Sequence, residues 1–329
     1  MHVARNLGRV DQGFPFAKGH GTENDFVLVP DPDGRLALDP GLVSALCDRR
    51  SGIGADGVIR VVRAGAVPEG AGLAAEADWY MDYRNADGSL AEMCGNGVRV
   101  FVAYLLHAGL ASLGEGAHLN VATRAGLVTV HRDGDLLAAD LGAWEVSGGA
   151  GAVTSGGDVS VWPAGEPGAL PGLSVLVGNP HVVVTLADPA LLAAVDLTVP
   201  PGLDPAPPRG ANVEVVVPTG VREGAGHLAM RVHERGVGET RSCGSGAVAA
   251  ALAARAWAGE HLAPRRWWVD LPGGRLRVTV PAGPVTAGPS VELAGPAALV
   301  AEGYLDPSWL ADIAGRPDRG DRFVPSPVG

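Results

Sequence analysis

The chain has 329 residues, 47% of them hydrophobic, which is enough apolar material for two ordinary cores and excludes overall disorder. A formal net charge of -11 and a pI near 5.2 argue against a nucleic-acid or anionic-membrane surface, since both would repel an acidic protein, and favour a small soluble substrate. No apolar run reaches the ~18 residues of a membrane span, and residues 1–13 lack the apolar core of a signal peptide, so a cytoplasmic location is expected.

After a polar start expected to be frayed, residues 14–30 read as a strand, a glycine turn and a second strand, with Lys18, His20, Asn24 and Asp25 gathered at the bend. Asp39 is placed to cap a helix over 40–50 in which Leu42, Val43, Leu46 and Cys47 share a face, so Cys47 is assigned to the core. Strands follow at 57–63 and 77–84, the second closed by the turn signal Asn85-Ala86-Asp87-Gly88. Met93-Cys94-Gly95-Asn96-Gly97 then opens a helix running to about residue 107. Its Val98, Val100, Phe101, Val102, Tyr104, Leu105 and Leu106 leave no polar face, which demands burial all round and a sheet to wrap it.

The second half begins with strand-like runs at 121–132 and 136–141, and the Gly/Ala/Ser stretch 147–157 reads as a loop. Further strands fit 173–177, 182–186, 213–217 and 227–233, with the Pro-rich segment 204–208 a rigid connection just before Asn212. Cys243-Gly244-Ser245-Gly246 opens a second helix over 247–258, apolar all round apart from Arg255, and residues 307–329 read as a loose tail.

The two Cys-Gly-x-Gly turns stand 149 residues apart, about one domain length, and Asn85 and Glu234 each lie nine residues before their cysteine. Three cysteines, Cys47, Cys94 and Cys243, are too few and too scattered for a disulfide framework or a CxxC-type zinc site, so free thiols and no metal are expected. A cysteine at the first turn of a helix meets unpaired backbone N–H groups that favour an anion, so a thiolate stabilised relative to a free thiol is expected at both turns. The N–H groups of Gly95, Asn96, Gly244 and Ser245 can hold a carboxylate and the charge that moves onto it when an α-proton leaves. Inverting a stereocentre without a cofactor needs one group to take a proton from one face while another delivers to the opposite face, and Cys94 and Cys243 supply such a pair.

Taken together the motifs resemble diaminopimelate epimerase over residues 14–305. They are Lys18-Gly19-His20-Gly21-Thr22-Glu23-Asn24-Asp25-Phe26, Gly52-Ile53-Gly54-Ala55-Asp56-Gly57, Asn85-Ala86-Asp87-Gly88-Ser89, Cys94-Gly95-Asn96-Gly97-Val98-Arg99, Gly178-Asn179-Pro180-His181, Ala211-Asn212, Glu234-Arg235-Gly236-Val237-Gly238-Glu239-Thr240, Cys243-Gly244-Ser245-Gly246 and Leu271-Pro272-Gly273-Gly274. The resemblance implies an α/β fold of two pseudo-symmetric halves, each a curled β-sheet wrapped around a central helix, with the active site in the cleft between them. The halves are expected over 1–124, with 295–306 returning to it, and over 125–294, followed by the tail. It also implies cofactor-independent interconversion of LL- and meso-2,6-diaminopimelate, toward lysine and peptidoglycan, with Cys94 and Cys243 as the acid–base pair. Gly95, Asn96, Gly244 and Ser245 would hold the reacting carboxylate and Asn24 the reacting amine. Asn85, Asn179, Asn212 and Arg235 would hold the distal carboxylate, with Glu234 near the distal ammonium. His181 and Glu234 would tune the thiol pKa values, and Lys18, His20, Asp25 and Glu239 would be structural.

The pattern departs from the family at two points: Glu23 precedes Asn24 where some members have a shorter side chain, and Gly57 stands where some carry a glutamine that helps bind the reacting amine. Two other readings compete. A racemase of proline type also uses paired cysteines, but its ring substrate leaves Asn85, Asn212 and Arg235 without a purpose. A binding or redox protein would use the thiols only to pair reversibly. A homodimer is left open, and no nucleic-acid or membrane partner is expected.

Overall fold

The computed structural model, which describes residues 14–259 and 262–314, is an α/β fold of two halves built to one plan. In the first, β1 (Phe14–Gly21) and β2 (Asn24–Pro30) form a hairpin, α1 (Pro40–Cys47) crosses to β3 (Gly57–Arg63), and α2 (Pro68–Ala71) leads to β4 (Trp79–Asn85). The helix α3 (Gly95–His107) then crosses to β5 (His118–Thr123), β6 (Gly126–Asp133) and β7 (Leu136–Asp140). After β8 (Trp144–Val146), α4 (Gly149–Ser155) and β9 (Val159–Trp162), the second half repeats the order. The hairpin is now β10 (Leu170–Val177) and β11 (Asn179–Thr185). Next come α5 (Pro189–Ala194), β12 (Gly202–Asp204), β13 (Asn212–Arg222), β14 (Ala225–Glu234), β15 (Gly238–Thr240) and α6 (Gly244–Ala258). The series closes with β16 (Arg266–Leu271), β17 (Gly274–Thr279), β18 (Ala287–Gly288), β19 (Glu292–Gly295), β20 (Ala298–Leu305) and α7 (Pro307–Ala314).

The hydrogen bonding repeats with the order. In the first half β1/β2 is antiparallel, β2/β3 parallel, β3/β4 antiparallel and β4/β5 parallel, with β5, β6 and β7 antiparallel in turn. In the second, β10/β11, β11/β13, β13/β14, β14/β16 and the β16–β17–β19 meander give the same alternation. Parallel neighbours need a crossover, which is why a helix separates each such pair. The two curls are one continuous sheet, because β7 pairs with β19, and β20 returns to pair antiparallel with β1.

Each curl closes around its own helix. Val98, Val100, Phe101, Val102 and Leu105 of α3 are fully buried, as are Ala247 to Ala251 of α6. Burying each large side chain stabilises the fold by roughly 1.5–3 kcal/mol relative to exposure, so a helix with no wet face is held by the sheet around it. Arg99 sits among these apolar groups with no exposure and turns its guanidinium back to Gly95 O (2.9 Å) and Asn96 Oδ1 (2.8 Å). No helix of the described residues is long and apolar enough to cross a membrane.

Four local expectations change. The first helix stops at Cys47 rather than residue 50, because the Asp48 carboxylate accepts from the N–H groups of Arg50 (2.8 Å) and Ser51 (2.7 Å) and turns the chain. The run 121–132 is two strands: Thr123 Oγ1 accepts from Ala125 N (3.1 Å), Gly126 takes φ 109°, and Arg124 leaves the sheet face to bond Tyr83 O (2.8 Å). Residues 147–157 hold α4, which has no capping side chain but buries Ala152 in the main core and ends on a left-handed Gly156 whose carbonyl accepts from Trp257 Nε1 (3.1 Å). The tail begins as α7, whose Trp309 and Leu310 pack on the α1 cluster. Residues 1–13 and 315–329 lie outside the described residues.

The halves meet where the β1–β2 turn touches the β16–β17 turn, and Thr22 Oγ1 and Ser242 Oγ share a hydrogen bond of 2.5 Å across it. A Cβ added at Gly273 would lie 2.0 Å from Thr22 O and 3.0 Å from Arg241 O, so only glycine fits this seam. Gly273→Ala is expected to cost about 2 kcal/mol through overpacking, read as a lowered thermal midpoint, and an unchanged midpoint would show that the seam adds nothing to stability.

Candidate active site

The repeat places residues in matched pairs. Asn24 and Asn179 open β2 and β11, Gly57 and Asn212 open β3 and β13, and Asn85 and Glu234 close β4 and β14. Cys94 and Cys243 are the N-caps of α3 and α6, with near-identical backbones (φ -141°, ψ 121° and φ -127°, ψ 115°). Each sulfur accepts from the backbone N–H three residues on, Gly97 and Gly246, at 3.3 Å. Sulfur thus does what Ser or Asp oxygen does at ordinary helix starts.

The two helix starts abut. A Cβ on Gly244 would lie 3.6 Å from Asn96 N, and Leu293 of β19 touches both starts, at 3.0 Å from a Cβ on Gly95 and 2.9 Å from one on Gly244. Glycine at these two places lets both helices begin under one leucine. Asn24 Oδ1 lies 3.6 Å from Cys94 Sγ and 3.2 Å from Asn96 Nδ2, and Asn212 Nδ2 lies 3.9 Å from Cys243 Sγ. Ser245 Oγ is 3.6 Å from the same sulfur.

Asn24 is aimed by a charged network. Its Nδ2 donates to Asp56 Oδ2 (2.8 Å), and Arg49 bridges Asp56 (2.7 Å) to Asp25, which also accepts from Lys18 (2.6 Å). Burial alone would raise the Asp25 carboxyl, but Arg49 and Lys18 outweigh it and hold it at about 2. Lys18 and Asp25 thus belong to this network; His20 Nδ1 accepts from Glu23 N (3.2 Å), and Glu239 pairs with Arg231 at 2.7 Å. At the other end, Arg235 is exposed and its Nη1 donates to Arg209 O (2.6 Å), while its backbone N–H donates to Asn212 Oδ1 (3.0 Å). Asn85 Nδ2 donates to Ser89 Oγ (2.9 Å), and Glu234 accepts from Thr240 Oγ1.

A family model described as diaminopimelate epimerase matches residues 16–145 and 173–291. The diaminopimelate epimerase of Streptomyces coelicolor is 50% identical, with 91% of this chain and 97% of that one covered. This chain belongs to the diaminopimelate epimerase family. The diaminopimelate epimerase of Rhodococcus jostii is 48% identical, covering 91% of this chain and 99% of its own. Among solved structures, a PhzF-family phenazine biosynthesis protein from Bacillus anthracis superposes with a TM-score of 0.61 at 16% identity, covering 90% of this chain and 99% of that one. A hydroxyproline epimerase from Agrobacterium vitis gives 0.54 at 14% identity, with 91% and 95% covered. At such identities these two establish a shared fold alone.

Within the diaminopimelate epimerase family the glycine at position 57 has a local cause. A Cβ there would lie 2.6 Å from Tyr83 Cε2 and 2.5 Å from Arg84 O, so the Tyr83 ring, held edge-on by Phe26, covers the place where a longer residue would emerge. Four residues near the cysteines escaped the sequence reading: Asp56, Tyr83, Arg99 and Glu214. Asp56 and Arg99 lay inside quoted motifs, whereas Glu214, between valines on a strand, looks like an ordinary alternation of apolar and polar residues.

The thiol expectation is reversed. Burial pushes the Cys94 thiol up to about 11, against the pull of the Gly97 and Asn96 N–H groups. Burial drives Cys243 well above the usual thiol range, helped by the carboxylates of Glu234 and Glu214. Leaving water costs the thiolate more than the helix start returns. Glu234 raises both thiols, but Arg99 draws Cys94 down while Glu214 adds to the rise of Cys243, so Cys94 is the less strongly raised of the two. All three cysteines are free. In the substrate-free enzyme, iodoacetamide is expected to label Cys94 before Cys243, with a rate rising about tenfold per pH unit between pH 7 and 9, as mass spectrometry of timed samples would report. Faster labelling of Cys243 would reverse the assignment.

Proposed function

We propose that this family member interconverts the LL and meso forms of 2,6-diaminopimelate by moving a proton between Cys94 and Cys243. The observation that carries this reading is the pair of sulfur-capped helix starts that abut under Leu293. In one direction the Cys94 thiolate removes the α-proton and the Cys243 thiol delivers a proton to the opposite face; in the other direction the roles exchange. The N–H groups of Gly95, Asn96, Gly244 and Ser245 bind the reacting carboxylate and take up the charge that develops on it. A carboxylate in that position neutralises the helix ends. Each turnover starts with one thiolate and one thiol and ends with the two exchanged, the proton taken from the substrate resting on one sulfur and the proton delivered to it lost from the other.

Asn24, fixed by Asp56, presents its Oδ1 beside Cys94 and is suited to accept from the reacting ammonium. Asn85, Asn179, Asn212 and Arg235 hold the distal carboxylate, and Glu234 answers the distal ammonium. Arg235 offers two parallel N–H donors, the geometry a carboxylate prefers. A substrate with two amino-acid ends needs this second set to fix which centre meets the thiols.

Deuterium uptake at the α-carbon of LL-diaminopimelate in D₂O, followed by NMR, tests the chemistry. The wild type is expected to incorporate deuterium while forming the meso isomer, and Cys94→Ser or Cys243→Ser to lose about 10²-fold or more. Exchange on proline but not on diaminopimelate would shift the assignment to a proline-type racemase. Arg235→Ala is expected to raise KM for diaminopimelate about 10- to 100-fold, the loss of a charge-assisted pair, and an unaltered KM would remove Arg235 from the distal site.

A further inference from the structure

Behind Cys243, His181 is buried against Glu214, a residue that the sequence reading did not assign. The side chains of His181 and Glu214 are both fully buried, and His181 Nδ1 lies 2.7 Å from Glu214 Oε1. The other ring nitrogen, Nε2, lies 3.0 Å from Asn179 Oδ1. Glu214 Oε2 has no hydrogen-bond partner among the described residues. A Cβ on Gly246 would lie 2.6 Å from Glu214 Oε1, so glycine at the first turn of α6 lets this carboxylate rest against the positive end of the helix. The remaining acids and thiols facing the pair are Glu234 of β14 and Cys243 at the start of α6.

An imidazole with an oxygen at each nitrogen has only a few ways to satisfy both. A ring protonated at both nitrogens donates to Glu214 and to Asn179 Oδ1, and the Asn179 amide then keeps its two N–H hydrogens for the cleft. A neutral ring protonated at Nδ1 instead needs a donor at Nε2, which turns the Asn179 amide over and presents its oxygen to the cleft. The first arrangement attracts a carboxylate and the second an ammonium. The structure sets Asn179 Oδ1 against Nε2 (3.0 Å), which fits the first, and the Glu214 carboxylate resting on the α6 start is the group a doubly protonated ring would pair with.

We propose that Glu214 is a positioning residue for substrate recognition: it holds His181 as an imidazolium, and His181 in turn locks the Asn179 amide with its N–H hydrogens toward the distal carboxylate of the substrate. The proposal rests on the reading of Asn179 as a carboxylate ligand. It explains why an orphaned carboxylate oxygen is kept inside the second half, where an apolar residue would cost less.

Full-length enzyme labelled with ¹⁵N-histidine, substrate-free at neutral pH, gives the direct readout, with the His181 signals assigned by their loss in His181→Gln. Two protonated ring nitrogens are expected for His181 in the wild type and one in Glu214→Gln. A wild-type ring carrying a single proton, on either nitrogen, overturns the proposal and requires no variant to fold. In steady-state kinetics Glu214→Gln is expected to raise KM for LL-diaminopimelate about tenfold with kcat reduced less than about threefold. A loss confined to kcat would overturn the recognition role. Asn179→Ala separates the two readings: an unchanged KM there removes Asn179 from the carboxylate site, whatever the protonation of His181.

Discussion

A helix start is the one part of a helix that must find partners outside itself, and here two such starts are buried and capped by sulfur. The Sγ atoms of Cys94 and Cys243 each take one orphan N–H, and both starts lie under Leu293. Everything else follows from keeping those starts dry. Helices with no wet face require a sheet that curls fully around them, and the curl requires the alternation of hairpins and crossovers found in both halves. Glycines 95 and 244 are the local condition, since a side chain at either place would collide with the leucine that seats both helices.

The repeat is symmetric in backbone and asymmetric in charge. Arg99 supplies a buried cation beside Cys94 and Glu214 an acid beside Cys243, while Glu234 raises both thiols. Position 57 is glycine under the Tyr83 ring, whereas its counterpart Asn212 reaches a sulfur. A duplicated scaffold gives two equivalent sulfur-capped helix starts, and the surrounding charges then make their thiols unequal. For an enzyme acting on a molecule with two similar ends, that inequality is useful, because a fully symmetric site would give no preference for either orientation.

Much of this was legible in the sequence because the deciding features are local. All-round apolarity announced α3 and α6, Asn85-Ala86-Asp87-Gly88 announced the turn after β4, and the duplicated Cys-Gly-x-Gly turns announced the repeat. The misreadings came where a tertiary contact overrides local pattern. Arg124 interrupts what reads as one strand because its guanidinium is wanted at Tyr83 and Asp82, and α4 forms from glycine and alanine because Ala152 finds a core to enter. The sign of the thiol shift was misread for the same reason: the helix start is visible in sequence, but the depth of its burial is not. Glu214 was invisible because a glutamate between valines signals a wet strand face, and only the fold turns that face inward against His181.

The return of β20 to β1 has a consequence for biosynthesis. Phe14 pairs with Leu305, so the edge of the first curl stays open until nearly the whole second half has been made. On the ribosome the first half emerges with its β1 edge unpaired, a surface that could recruit the wrong strand. Among the described strands the last to be translated is therefore the one that pairs with the first, and a chain released before about residue 298 would carry both cysteines on a first curl whose β1 edge lacks its β20 partner.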